Sequence, residues 1–132
     1  MEQKIKILVV DDETDALGLF KDLFIRQGYD VECVSSGMEA LDAVDKSIID
    51  VVLLDIRMPV MDGIEALDRL KKKRPELPVV MLTAYGYDEE LINKSLDLGA
   101  AGYISKNLPL PQIVHTFKTL LSAVHTKKGK PA

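Results

Sequence analysis

Chemically active side chains follow directly on apolar runs at four places in this chain. The acids Asp11-Asp12 follow ILVV, Asp55 follows VVLL, the hydroxyl of Thr83 follows VVML, and the ammonium of Lys106 follows YIS. An acid at the end of a strand-forming run faces the rim of a sheet, where desolvation makes its charge expensive. Three acids brought together at such a rim would repel one another and raise one another's pKa. A hard divalent cation resolves that conflict, since Mg²⁺ takes oxygen ligands, keeps some water and commonly shares its sphere with phosphate. Carboxylates, a hydroxyl and an ammonium around such a cation suit phosphoryl transfer, which depends mostly on positioning and charge neutralisation.

The elements that must position these groups are legible in the hydrophobic pattern. Apolar runs at 5–10, 31–34, 51–54, 79–82 and 103–104 predict five strands, the first, third and fourth apolar enough to be covered on both faces. Between them, Leu17, Phe20, Leu23 and Phe24 make one helix face that Gly28 ends as a left-handed cap. Ser36 and Glu39 are spaced as a capping box for a second helix, and Asp62 caps a third whose end carries Lys71, Lys72, Lys73 and Arg74. A fourth helix is expected over 88–98, stopped by Gly99, and a fifth over 110–124 with Ile113, Phe117, Leu120, Leu121 and Val124 on one side. Five βα alternations imply an α/β fold: a doubly wound, five-stranded parallel sheet with right-handed crossovers. Ligands bind such sheets beyond the carboxyl ends of the strands, which is where all the groups above fall.

At 132 residues the chain has room for one ordinary domain. Its 47% apolar and 29% charged content are those of a globular protein. A net charge of −4 argues against direct binding to a nucleic-acid backbone. The single Cys33 cannot form an internal disulfide, and no apolar run reaches membrane-spanning length, so a cytoplasmic domain without a membrane segment is expected. The final residues 126–132, TKKGKPA, read as a disordered tail or the start of a linker.

The segments ILVVDDE, SSGMEAL, VVLLDIRMPVMDG, VVMLTAYG and GAAGYISK, in this order and spacing, resemble the receiver domains of two-component response regulators over residues 4–125. The resemblance implies a flavodoxin-like sheet of strand order 2-1-3-4-5. It implies that Asp55 accepts a phosphoryl group from a sensor histidine kinase or a histidine phosphotransfer protein. It further implies Mg²⁺ held by Asp11, Asp12, Asp55 and the backbone carbonyl of Arg57. Thr83 and Lys106 match the groups that bind the phosphoryl oxygens, and Thr83 with Tyr103 matches a switch pair. The surface of the fourth helix, fifth strand and fifth helix would then control a partner, an output domain or a phosphorylation-dependent homodimer, with Leu91, Lys94 and Lys118 as candidate residues. Such a domain is not an enzyme beyond its own phosphotransfer and autodephosphorylation. One departure is Asn107, where most of the family has a proline in cis after the lysine. A non-proline cis bond costs about 3–4 kcal/mol, so a trans peptide is expected here. A second is Tyr85, bulky enough to restrict water near the acceptor.

Plainer roles compete for each residue. Asp11-Asp12 could cap the first helix, Lys106 could be a solvated charge, and Tyr103 an edge-strand aromatic. The 71–74 cluster reads as a solvated helix end, His115 and His125 as exposed bystanders, and Met58 and Met61 as packing residues. The competing function is an aspartate-nucleophile phosphatase or phosphotransferase acting on a small phosphorylated metabolite. That class needs a second acid two residues after its nucleophile, and position 57 is arginine. No glycine-rich nucleotide turn follows any strand.

Overall fold

The computed structural model describes residues 4–83 and 89–127, the last three by backbone alone. Strands β1 (Lys6–Val10), β2 (Asp30–Val34), β3 (Val51–Asp55), β4 (Val79–Thr83) and β5 (Gly102–Ser105) alternate with helices α1 (Thr14–Arg26), α2 (Gly37–Lys46), α3 (Gly63–Lys73), α4 (Glu89–Asp97) and α5 (Leu110–Lys127). All pairings are parallel and the sheet order is β2-β1-β3-β4-β5, as the resemblance implied. The last helix takes in Thr126 and Lys127, which the sequence pattern put in the tail; 128–132 lie outside the described residues, as do Tyr85, the expected helix start at Asp88 and the His125 side chain.

Period-two alternation divides the sheet residues between two cores. Ile7, Val9, Val51, Leu53, Val80, Leu82 and Ile104 pack with Phe20 and Phe24 of α1 and Ile113 and Phe117 of α5. Leu8, Val10, Val52, Leu54, Val79 and Met81 pack with α2 and α3 on the other face, where half-buried Tyr103 and Leu91 join them. Phe24, Tyr29 and Phe117 stack edge to face, with centroids 5.0–5.9 Å apart, and lock α1 to α5. Met58 and Met61 are buried as expected, and His115 is exposed.

Helix ends follow their local chemistry. Gly28 and Gly99 take positive φ and close α1 and α4. Ser36 accepts the Glu39 N–H (3.1 Å), but the Glu39 carboxylate reaches one residue further back than a capping box does, to the N–H and hydroxyl of Ser35. Asp62 accepts the Glu65 N–H (2.9 Å). The basic end of α3 is more than a solvated charge cluster. Lys71 donates to the Pro75 and Leu77 carbonyls, Lys73 pairs with Asp45, and Arg74 donates to the Val44 carbonyl. These bonds tie α3 to α2 and to the approach to β4, so the side chains complete backbone carbonyls as well as opposing the helix dipole. Among the described residues no peptide bond is cis, so Lys106-Asn107 is trans as expected.

Val60, fully exposed in the loop between β3 and α3, has φ +68°. A β-branched residue is strained there, at a cost of about 1–3 kcal/mol. Val60→Gly should therefore raise the denaturant midpoint by the equivalent of about 1 kcal/mol, the added freedom of the unfolded glycine offsetting part of the relief. A lower midpoint would show that the left-handed turn carries no strain.

Candidate functional site

The carboxyl edge of the sheet is built by register. Val10 lies opposite Leu54, Asp55 opposite Leu82, and Thr83 opposite Ser105, so the residues that end β1, β3, β4 and β5 reach the same level. Asp55 continues the face of Val51 and Leu53, toward α1 and α5. Thr83 continues the face of Val79 and Met81, and Tyr103, opposite Met81, lies on that second face too.

Asp11 is 0% exposed and Asp55 is 3% exposed, while Asp12 is open to solvent. One oxygen from each of the three acids fits within a 4.8 Å cluster. The Lys106 ammonium stands among them, 2.7 Å from Asp11 Oδ2 and 3.2 Å from Asp55 Oδ2, and it also reaches Glu13 Oε1 at 3.3 Å. With Asp55 it forms a hydrogen bond, and with Asp11 Oδ2 it makes the closer ion pair. Lys106 is thus a largely buried counter-ion and not a solvated surface charge. Burial by itself would depress its pKa, but Asp11 and Asp55 outweigh that and hold it raised.

Backbone amides fix the two buried acids. Asp11 Oδ1 accepts the Glu13 N–H (3.0 Å), and Asp55 Oδ1 accepts the Arg57 N–H (3.2 Å). The helix-capping alternative for Asp11-Asp12 fails, because α1 starts after Glu13 with no side-chain cap bond. Burial pushes Asp55 up to about 6 from 3.8; Lys106 opposes this, and the nearby Asp11 charge reinforces it. Two buried acids sharing one ammonium retain an excess of negative charge, with exposed Asp12 close beside them. The donor set is all oxygen, so these residues fit a hard cation.

Sequence reasoning brought Asp11, Asp12, Asp55 and Lys106 together correctly. It missed Glu13, whose carboxylate extends the Lys106 contacts; the only signal was its place after Asp11-Asp12. Thr83 stands half-buried at the end of β4 next to this cluster, on the opposite sheet face. Of the expected output-surface residues, Leu91 is half-buried against the core and Lys94 is exposed. Lys118 donates to Gln27 (3.1 Å) and so sits on the α1 side of α5.

Residues 7–118 match the family model described as the response regulator receiver domain. The chain is 38% identical to sporulation initiation phosphotransferase F of Bacillus subtilis over 116 residues, 88% of this chain and 93% of that protein. It is 36% identical to transcriptional regulatory protein ZraR of Escherichia coli over 92% of its own length but only 27% of that relative. A crystal structure of a CheY-like response regulator receiver domain protein from Methanospirillum hungatei superposes with TM-score 0.87 at 30% identity, covering 95% of this chain and 99% of the other.

The raised Asp55 carboxyl makes stability pH-dependent. Between its ordinary value of 3.8 and about 6 the folded state binds more protons at Asp55 than the unfolded state, so this contribution is lost as pH rises through that window. In metal-free buffer, Asp55→Asn should be more stable than wild type at pH 7 by up to about 3 kcal/mol, with the gap closing below about pH 4. Urea titrations at both pH values check this, and a variant no more stable than wild type at pH 7 would contradict the burial cost.

Proposed function

The chain belongs to the response regulator receiver domain family, and from that premise we propose that it carries a signal by accepting a phosphoryl group on Asp55. The observation that carries the reading is a buried acid held by a backbone amide, with a shared ammonium and two further carboxylates beside it. A receiver implies a sensor kinase and an output. The donor we propose is a phosphohistidine on a sensor histidine kinase or a histidine phosphotransfer protein in the cytoplasm.

Arg57 N–H holds Asp55 Oδ1, which leaves Oδ2, the oxygen toward Lys106, to attack phosphorus. The new O–P bond forms as the P–N bond of the donor breaks, and the nitrogen keeps the electron pair of that bond. Lys106, already between Asp11 and Asp55, then pairs with the phosphoryl oxygens, and the Thr83 hydroxyl donates a further hydrogen bond to them. Asp11, Asp12, Asp55 and the Arg57 backbone carbonyl would hold Mg²⁺, which when bound supplies positive charge against the acids and the phosphoryl oxygens. No catalytic turnover of another substrate is assigned. The chemistry is confined to making and losing the domain's own aspartyl phosphate. The phosphatase reading gains nothing, since exposed Arg57 stands where that class needs its second acid.

Readout at a distance rests on the sheet face that Thr83 and Tyr103 share. Drawing the Thr83 hydroxyl toward the phosphoryl group opens space along that face, which the Tyr103 ring can occupy. The surface of α4, β5 and α5 would then bind a partner, an output domain or a second copy in a population shift. Lys94 and half-buried Leu91 serve that surface better than Lys118, which bonds to Gln27 at the end of α1.

Acetyl phosphate with Mg²⁺ should add one phosphoryl group to the wild-type chain by intact mass, and none to Asp55→Asn or to wild type in EDTA. Labelling of Asp55→Asn at the wild-type level would move the chemistry to another residue. For the switch, amide NMR with beryllofluoride and Mg²⁺ should shift resonances of α4, β5 and α5 in wild type, and only those near Asp55 in Thr83→Ala. Equal shifts in α5 for both proteins would remove Thr83 from the coupling.

A further inference from the structure

Gly63, the buried first residue of α3, is pressed against the backbone of the acceptor itself. A Cβ added there would overlap the Asp55 carbonyl oxygen and stand 2.6 Å from Ile56 Cα and 2.9 Å from the Asp55 carbonyl carbon. These are backbone atoms, so no rotamer change relieves the clash. The Gly63 N–H also donates to the Ile56 carbonyl at 2.7 Å, closing the neck of the β3–α3 loop. Buried Met58 and Met61 pin the loop from inside, and Asp62 caps α3 next to the neck. The loop holds its shape even with Val60 in the left-handed region, so it is over-determined and cannot easily absorb a displaced helix.

We propose that Gly63 is a positioning residue for phosphoryl acceptance: its missing side chain lets α3 lean on the Asp55 peptide, and that contact sets where the acceptor points. The inference rests on Asp55 as the acceptor. A side chain at 63 leaves two ways out: α3 moves off, or the Asp55–Ile56 peptide rotates. Rotation misaims the Asp55 carboxylate and disturbs the Arg57 N–H bond to Oδ1. The Arg57 carbonyl shifts with that rotation, and if α3 moves instead, the Gly63 N–H bond that closes the loop carrying Arg57 is lost. Attack geometry is steep in distance, and an error near 1 Å costs about 10²-fold in rate.

The helix conformation of residue 63 does not itself require glycine, because its φ is not in the left-handed region. The effect of Gly63→Ala is therefore one of place and not of backbone freedom. Gly18 supplies the control. It is exposed in the middle of α1 with nothing within 4 Å of an added Cβ, so Gly18→Ala should stabilise the fold without touching the site.

The experiment compares wild type, Gly18→Ala, Gly63→Ala and the double variant for melting temperature, for Mg²⁺ affinity by calorimetry, and for labelling rate with acetyl phosphate where each is fully folded. Gly63→Ala should lower the melting temperature, slow labelling at least tenfold and weaken Mg²⁺ binding several-fold. In the double variant the melting temperature should recover while labelling and Mg²⁺ binding stay impaired; if the single variant does not fold, this one decides. Labelling and Mg²⁺ affinity within twofold of wild type in either folded variant, or recovery of both along with the melting temperature, would overturn the positioning role. A wild-type chain that takes no phosphoryl group at Asp55 would instead sink the acceptor reading, and the Mg²⁺ affinities would still decide the fate of Gly63.

Discussion

One ammonium shared by two buried carboxylates is the constraint on which this molecule turns. Lys106 sits 2.7 Å from Asp11 and 3.2 Å from Asp55, and the acids are withdrawn from solvent. Removing the ammonium from such a group would leave two buried charges uncompensated, which is among the costliest single defects in a fold. The group can exist only if β1, β3 and β5 end at a common level. The parallel register secures that, and the register is in turn held by two apolar cores that tolerate no one-residue slip.

The same group is stable without being satisfied. The single Lys106 charge answers two buried acids incompletely, and a third, Asp12, lies in solvent nearby. Asp55 accordingly holds its proton more tightly than a free carboxylate does, burial being the chief cause. A site left short of positive charge is disposed to take a cation.

Around that edge the polar residues fall on two sheet faces. Asp11, Asp55 and Lys106 belong with the face covered by α1 and α5, where the Phe24, Tyr29 and Phe117 stack makes a rigid support. Thr83 and Tyr103 belong with the other face, packed against α2, α3 and α4. The two groups thus meet at one sheet edge yet extend into different cores. On that second face α3 has a double duty. Its basic end ties it to α2, and its glycine start abuts the Asp55 peptide.

Much of this was legible in the chain alone, for reasons that can be named. Periodicity places the strands because a run such as VVLL has one stable place, inside a sheet covered on both sides. Gly28, Gly99, Ser36 and Asp62 mark helix ends because left-handed φ and free N–H groups ask for those residue types. The acids at strand ends announce a site because a charged residue there has no packing role. What the chain alone leaves open is whatever depends on neighbours distant in sequence. Lys106 carries the same charge whether solvated or buried, and only the pairing of β1, β3 and β5 makes it the counter-ion of Asp11 and Asp55. Lys71, Lys73 and Arg74 read as a solvated end until Val44, Asp45 and Leu77 are brought beside them. Gly63 looks like any small residue opening a helix, and the Asp55 carbonyl that forbids a side chain there is a fact of packing. Local patterns are set by what each residue does to its own backbone, whereas burial, ion pairing and close approach are set by partners that only the folded chain supplies.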